Sequence, residues 1–353
     1  MGPMGMVRTL PKQLGWLLAR SVKTNPIRVS EMKIVITDGY TLNPGDNPWD
    51  EIAELGDVVV YERSEPGQVI DRAKGARIMV VNKTLIPAET LVALPELKFI
   101  AVSATGFDCV DVQVAGEQGI PVSNVPVYGT DSVAQHVIAL LLEMCNQAAT
   151  HDKAVKSGEW AAAPDWSFWK TPLIELRGKT MGIVGFGRIG RRVGELSHAL
   201  GMSVLAHDSA EAEEPGYQPF AWAGLEKLFR TADVITLHTP LTADLVGFVN
   251  ADLLRQMRPS AFLINAARGG LINDEDLARA LNEGRLAGAA LDVVSIEPIR
   301  QDNPLLTAKN ILITPHIAWA TREARKRLMN TVAENIRAFL AGTPINVVNA
   351  SYL

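Results

Sequence analysis

From Met32 onward the chain alternates short apolar runs with longer segments of mixed polarity. Lys33 to Thr37, Asp57 to Tyr61, Arg77 to Val81, Lys98 to Ser103 and Pro121 to Ser123 read as strands rich in β-branched residues. Between them, Asn47 to Leu55 predicts a helix with Asn47 as cap and Pro48 at its first position. Gly67 to Lys74 and Pro87 to Leu94 predict two more. Apolar runs separated by helices imply a parallel sheet covered on both faces. Asp131 to Gln147 then predicts a long helix, with Ser132 to Gln135 in capping-box spacing near its start.

A second alternation starts at Thr180. Strands are expected at Thr180 to Val184, Ser203 to His207, Asp233 to Leu237, Ala261 to Asn265, Gly288 to Val293 and Ile311 to Thr314. Helices are expected at Ile189 to about Leu200, Leu225 to Thr231, Ala251 to Met257, Glu275 to Glu283 and Thr321 to Ala341. In the last, Leu328, Val332, Ile336, Phe339 and Leu340 fall on one side, and Gly342 ends it. The fold class that follows is α/β, with two doubly wound parallel-sheet domains. The expected division is 1–31 as a poorly ordered extension, 32–130 plus 317–353 as one domain, and 131–316 as the other.

The second alternation opens on Gly185-Phe186-Gly187-Arg188-Ile189-Gly190. A strand, G-x-G-x-x-G and a helix in that order form a dinucleotide fingerprint. Gly185 permits the tight turn, Gly187 lets the backbone approach a diphosphate, and Gly190 lets the helix pack close to the sheet. Arg188 and Ile189 open the helix, where free amides and the positive dipole end favour an anion. Asp208 ends the next predicted strand, placed to accept hydrogen bonds from both ribose hydroxyls of NAD. It would repel the 2′-phosphate of NADP. Glu211, Glu213 and Glu214 follow, with no Arg or Lys before Lys227, so NAD(H) is expected in preference to NADP(H).

Composition narrows the class without adding a site. Hydrophobic residues make up 47% and charged residues 21%, ordinary values for a soluble globular chain. A net charge of −5 gives no support for a nucleic-acid partner. No apolar run approaches the ~18–20 residues that span a bilayer, so no membrane partner is expected. Cys109 and Cys145 stand in neither metal-like nor redox-like spacing, which argues against a disulfide scaffold and a structural metal and fits a cytoplasmic location. The first thirty residues carry Arg8, Lys12, Arg20, Lys23 and Arg28 and no acid. They read as an extension ahead of a fold beginning at Met32, with a basic targeting arm as the alternative. Trp160, Trp166 and Trp169 in an irregular stretch predict a buried contact, either a subunit interface or a cover over the protein's own core.

In doubly wound sheets, ligands bind beyond the carboxyl ends of the strands. Two loops of the first half lie there, Val81 to Thr84 and Ser103 to Asp108; they are either ordinary turns or part of a site. The second, with small residues and Gly106, can turn backbone amides toward an anion. Arg268, Glu297 and His316 also sit at predicted strand ends. Arginine binds a carboxylate bidentately, and histidine passes a proton near neutral pH when a carboxylate orients its other nitrogen. Each has a bland alternative as a surface turn, a helix cap or a loop histidine. Beside a nicotinamide, the set suits interconversion of 2-oxo and 2-hydroxy acids.

Gly178 to Gly190, Asn265 to Gly269, Asp292 to Pro298 and Thr314-Pro315-His316 resemble the D-isomer-specific 2-hydroxyacid dehydrogenases, and the resemblance runs from Met32 to about Ala341. It implies a flavodoxin-like substrate domain and a Rossmann NAD-binding domain. His316 would be the general acid/base, Glu297 its partner and Arg268 the clamp on the substrate carboxylate and carbonyl. The backbone of Ala104, Thr105 and Gly106 would meet that carboxylate. Ala266 would bind the cofactor and Asp292 would sit near the nicotinamide carboxamide, while the His238, Thr239 and Pro240 turn would line the adenosine side. Within the family, Tyr128 to His136 and His316 to Thr321 look most like glycerate dehydrogenases (hydroxypyruvate reductases), and Val81 to Thr84 agrees, placing Lys83 at the substrate mouth. His136 itself reads as an ordinary helix residue. The resemblance implies a homodimer acting on a small 2-oxo or 2-hydroxy acid such as hydroxypyruvate or glyoxylate. A phosphoglycerate dehydrogenase-like enzyme and an NAD(H)-responsive regulator or corepressor on the same fold are the alternatives.

Overall fold

The computed structural model describes residues 32–353; the expectation for residues 1–31 lies outside them. In the first half, strands β1 (Lys33–Ile36), β2 (Asp57–Val60), β3 (Ile78–Val81), β4 (Phe99–Val102) and β5 (Val122–Ser123) alternate with helices α1 (Asp50–Ala53), α2 (Val69–Ala73), α3 (Ala88–Val92) and α4 (Val112–Glu117). All pairings are parallel, in the order β2-β1-β3-β4-β5. That is the flavodoxin-like order.

Helices α5 (Thr130–Asn146) and α6 (Ala148–Lys156) lead to the second sheet. It contains β6 (Thr180–Val184), β7 (Ser203–His207), β8 (Phe220–Trp222), β9 (Val234–Leu237), β10 (Phe262–Asn265), β11 (Gly288–Leu291) and β12 (Ile311–Ile313). Its helices are α7 (Arg188–Ala199), α8 (Leu225–Thr231), α9 (Ala251–Leu254) and α10 (Asp274–Asn282), and α11 (Arg322–Leu340) closes the fold. The order β12-β11-β10-β9-β6-β7-β8 is the Rossmann order extended by one strand.

Period-two alternation assigns the faces. Val35, Met79, Val81, Ile100 and Val102 point to the side covered by α2, α3 and α4. Ile34, Ile36, Ile78, Val80 and Phe99 point the other way, against Leu328, Val332 and Ile336 of α11. Phe99 stacks on Phe339 with ring centroids 4.5 Å apart. In the second sheet, Met181, Ile183, Val204 and Ile264 face α5 and α7, and Val184, Leu205, Ile235 and Leu263 face α8, α9 and α10. The chain therefore crosses between the sheets twice, before α5 and before α11.

Several local expectations need correction. The helix foreseen from Asn47 begins only at Asp50. Asn47 instead ties a loop: its amide donates to Asn43 Oδ1 at 2.9 Å and its side chain donates to Leu42 O at 3.0 Å. Ser132 is inside α5, whose N-cap is Gly129, and its hydroxyl donates to Ala318 O at 2.7 Å rather than closing a capping box. Helices α4 and α6 and the three-residue edge strand β8 were too short or too polar to stand out. The tryptophans do not cover this chain's own core: Trp166 is 88% exposed, Trp169 67% and Trp160 51%.

Candidate active site

The glycine turn leaves β6 beside β9, where the order of the second sheet reverses. Gly185 has φ +92°, and a Cβ there would lie 2.6 Å from the His238 carbonyl carbon, so this turn and the His238–Pro240 loop meet face to face. A Cβ on Gly190 would lie 2.1 Å from Gly185 O, which leaves only glycine for that helix–strand approach. A Cβ on Gly187 would meet nothing within 4 Å. Internal packing thus accounts for Gly185 and Gly190 but not for Gly187, as expected where a diphosphate approaches the backbone. The residues fit a dinucleotide.

Around this turn, Asp208 follows β7 and accepts from the Phe186 amide at 2.7 Å and from the Ser209 amide at 2.7 Å. Arg188 reaches across to Pro126 O at 3.2 Å, and half-buried Ile189 packs on the α5 side of the sheet. The His238 ring faces Thr236 Oγ1 at 3.0 Å, and burial pushes its pKa down to about 3, so the imidazole is neutral. Thr239 is half-buried and Pro240 exposed. One cation hidden from the linear sequence reaches this side: Arg191 of α7 donates to Glu213 O at 2.7 Å and lies 4.9 Å from the Phe186 ring centre.

His316 and Glu297 are brought together. His316 Nδ1 lies 2.6 Å from Glu297 Oε2. Burial opposes ionisation of Glu297, but the His316 hydrogen bond and charge, the Val294 amide and the Lys83 charge outweigh it, and the carboxyl is held below its ordinary range. His316 has φ +54°, a left-handed conformation that a non-glycine residue holds only when its surroundings impose it. Asp292 imposes much of it. Its carbonyl accepts the His316 amide at 2.8 Å, and its carboxylate accepts the Ile317 and Ala318 amides at 2.9 and 2.8 Å and the Thr314 hydroxyl at 2.6 Å. At 1% exposure, that carboxylate is committed to the loop bearing His316.

Arg268 follows β10, in a turn clamped by Asn265, whose side chain accepts from the Ala267 amide at 3.0 Å and donates to Arg268 O at 2.9 Å; half-buried Ala266 lies inside it. The guanidinium is exposed and points at the first half of the chain: a Cβ on Gly106 would lie 2.7 Å from Arg268 Nη2. Gly106, at the end of the loop that holds Ala104 and Thr105, is therefore brought to Arg268. Their loop is braced by Thr105 Oγ1 donating to Val125 O at 2.8 Å, Asn124 Nδ2 donating to Thr105 O at 2.7 Å and the Val125 amide donating to Ala104 O at 3.0 Å. Among the described residues, the Thr105 and Gly106 amides have no acceptor. Arginine beside free amides makes a seat for a carboxylate.

Three contributors escaped sequence reasoning. Asp38, after β1, accepts the backbone amides of Asn82, Lys83 and Thr84 at 2.9, 2.5 and 2.8 Å, fixing the loop that brings Lys83 to Glu297. Its signal was present, since an acid after the first strand faces the loop after β3 across the switch between β1 and β3. Tyr128 is near Arg268, whose charge opposes the burial that pushes the phenol up to about 12. His136, read as an ordinary helix residue, lies 3.0 Å from Thr314 Oγ1.

Comparison with known proteins agrees with this geometry. The profile of the D-isomer specific 2-hydroxyacid dehydrogenase NAD binding domain matches residues 138–318. The hydroxypyruvate reductase of Blautia hydrogenotrophica is 48% identical over 90% of this chain and 100% of its own length. The glycerate dehydrogenase of Methylorubrum extorquens is 39% identical over 81% of this chain and 89% of its own. Among solved structures, the NADPH-dependent glyoxylate/hydroxypyruvate reductase of Sinorhizobium meliloti, in complex with NADP and malonate, superposes with a TM-score of 0.77 at 30% identity, covering 90% of this chain and 97% of that one.

Proposed function

The chain belongs to the D-isomer-specific 2-hydroxyacid dehydrogenases, a family of oxidoreductases, and from that premise we propose that it reduces hydroxypyruvate to D-glycerate, and glyoxylate to glycolate, with NADH. The observations that support this reading are the His316–Glu297 pair and the approach of Arg268 to Gly106. In this reading, residues 32–130 and 317–353 form the substrate domain and residues 131–316 the nucleotide domain, with Arg268 and Gly106 facing each other between them.

Arg268 and the amides of the Ala104–Gly106 loop hold the substrate carboxylate. The guanidinium also polarises the neighbouring carbonyl, which a point-charge lysine would do less well. When bound, the nicotinamide supplies hydride to C2. His316 gives its Nε2 proton to the oxygen as that carbonyl becomes an alcohol, and Glu297 on Nδ1 keeps the ring oriented and stabilises its cationic form. Lys83, exposed at the mouth, adds positive charge where an anionic substrate arrives. In the reverse direction His316 takes the proton.

Asp208 supports NADH as the cofactor used, because its carboxylate stands beside the glycine turn where a 2′-phosphate would be repelled. Arg191 is turned toward the Glu213 carbonyl and the Phe186 ring. The solved S. meliloti relative holds NADP, so the choice has to be measured. A steady-state panel of 2-oxo acids with NADH and NADPH should give its highest kcat/KM with hydroxypyruvate and NADH. A preference for NADPH would overturn the cofactor assignment, and no turnover of any 2-oxo acid would favour a regulatory role.

The exposed tryptophans, with Val155 and Leu173 beside them in the chain, support a homodimer, since large aromatics left in water mark protein contacts. Light scattering should return twice the chain mass of 38.2 kDa; the monomer mass would exclude a stable dimer. Free cysteines at 109 and 145 support a cytoplasmic setting. Among the described residues, no helix is long and apolar enough to cross a membrane.

A further inference from the structure

Helix α5 touches the His316 segment with two side chains that the chemistry above does not use. Ser132 Oγ donates to Ala318 O at 2.7 Å. One turn later, on the same face, His136 Nε2 lies 3.0 Å from Thr314 Oγ1 and 3.4 Å from Asp292 Oδ1. Hydrogen counting fixes the direction of this chain of bonds. Thr314 has one hydroxyl proton, and it goes to Asp292 Oδ1 at 2.6 Å, because an ionised carboxylate can only accept. Thr314 Oγ1 is then an acceptor toward His136, so the Nε2 nitrogen carries a proton and donates it. The order is His136 to Thr314 to Asp292.

Asp292 is the centre of the loop. It collects the Ile317 and Ala318 amides on its side chain and the His316 amide on its carbonyl, on either side of a residue in the left-handed region. Because its side chain is buried, water cannot replace a donor that is removed. Asp292 orients the Thr314 hydroxyl, and the His136 N–H holds that oxygen in place from the α5 side by donating to its remaining lone pair.

We propose that His136 is a positioning residue for His316, a tether through which α5 sets the loop that aims the general acid. The helix begins where the chain first crosses from one sheet to the other, so the tether also ties the crossing point to the acid–base pair. The inference rests on His316 being that acid, and the test separates the two. His136→Leu removes the donor, and His136→Gln keeps an N–H within reach. Thr314→Val removes the other end of the tether with little change of shape and serves if the leucine variant folds poorly.

Leaving a buried acceptor without its donor should lower kcat with hydroxypyruvate by about ten- to a hundredfold in His136→Leu and Thr314→Val. The KM for NADH should stay within about twofold in both variants. His136→Gln should recover most of the turnover. Hydrogen–deuterium exchange in the ligand-free protein should be faster across residues 314–320 in the leucine and valine variants only. Unchanged exchange there, or equal impairment of the glutamine and leucine variants, would overturn the tether. Exchange reads the loop directly, so it decides the point even if His316→Asn, run alongside, keeps its turnover and removes His316 as the acid.

Discussion

His316→Asn should lower kcat with hydroxypyruvate by about 10²–10⁴-fold, or about 3–6 kcal/mol of transition-state stabilisation. Asparagine keeps the approximate size of the ring and its left-handed backbone preference, so φ +54° is tolerated and the loss isolates the proton. NADH binding, followed by quenching of tryptophan fluorescence, should be unchanged, because the glycine turn is built from other strands. Near-wild-type turnover would remove His316 from the chemistry. Glu297→Gln gives the companion result. Burial opposes ionisation of Glu297, but the His316 hydrogen bond and charge outweigh it and hold the carboxyl below its ordinary range, so the charged pair is lost only as pH falls through that lowered value. Glutamine cannot titrate there, so the variant should show a lower kcat/KM and lose that fall on the acid side. An acid side unchanged in the variant would separate the two residues.

Gly269→Ala should be the most damaging single-methyl change near the site. A Cβ at Gly269 would lie 1.8 Å from Val294 O and 1.9 Å from Val294 C, and both are backbone atoms that no rotamer change can move. Overpacking of this kind costs about 3 kcal/mol, and more where nothing yields. The position makes the cost functional as well. Gly269 is attached to Arg268, and the Val294 amide donates to Glu297 Oε1 at 3.2 Å, so the methyl would push Arg268 away from Glu297 and its partner His316. A lower midpoint of urea unfolding together with a lost kcat/KM is expected. An unchanged midpoint with normal turnover would mean that this close approach is not present in solution.

Much of this was legible in sequence because the relevant signals are local. Strands β6 and β7 and helix α8 fall where the apolar runs place them. The glycine spacing anticipated the turn at Gly185 and the close helix–strand approach at Gly190, but not the contact of Gly185 with His238. Arg268, Glu297 and His316 were readable as strand-end polar residues, since in a doubly wound fold those ends converge. What escaped depends on contacts distant in sequence. His136 and Thr314 are 178 positions apart, so nothing on α5 distinguishes a histidine that faces solvent from one that faces Asp292. Asp38 serves amides 44 to 46 residues away. Arg191 reaches the acidic segment through the turn of a helix, which a search for cations within the segment itself cannot find. Asn47 and Ser132 were misplaced because a good cap in the linear sequence was claimed by another partner, Asn47 by the loop residues Leu42 and Asn43 just before it and Ser132 by Ala318, 186 positions away.

The return of α11 to the first sheet has a consequence for how the chain is made. One whole face of that sheet, Ile34, Ile36, Ile78, Val80 and Phe99, is covered by Leu328, Val332 and Ile336. During synthesis these residues leave the ribosome after every strand of the second sheet. The nucleotide-binding half can bury its core while the first half still shows an apolar sheet face, the kind of surface that recruits chaperones or aggregates. The part of the protein translated earlier is therefore finished later, when α11 docks.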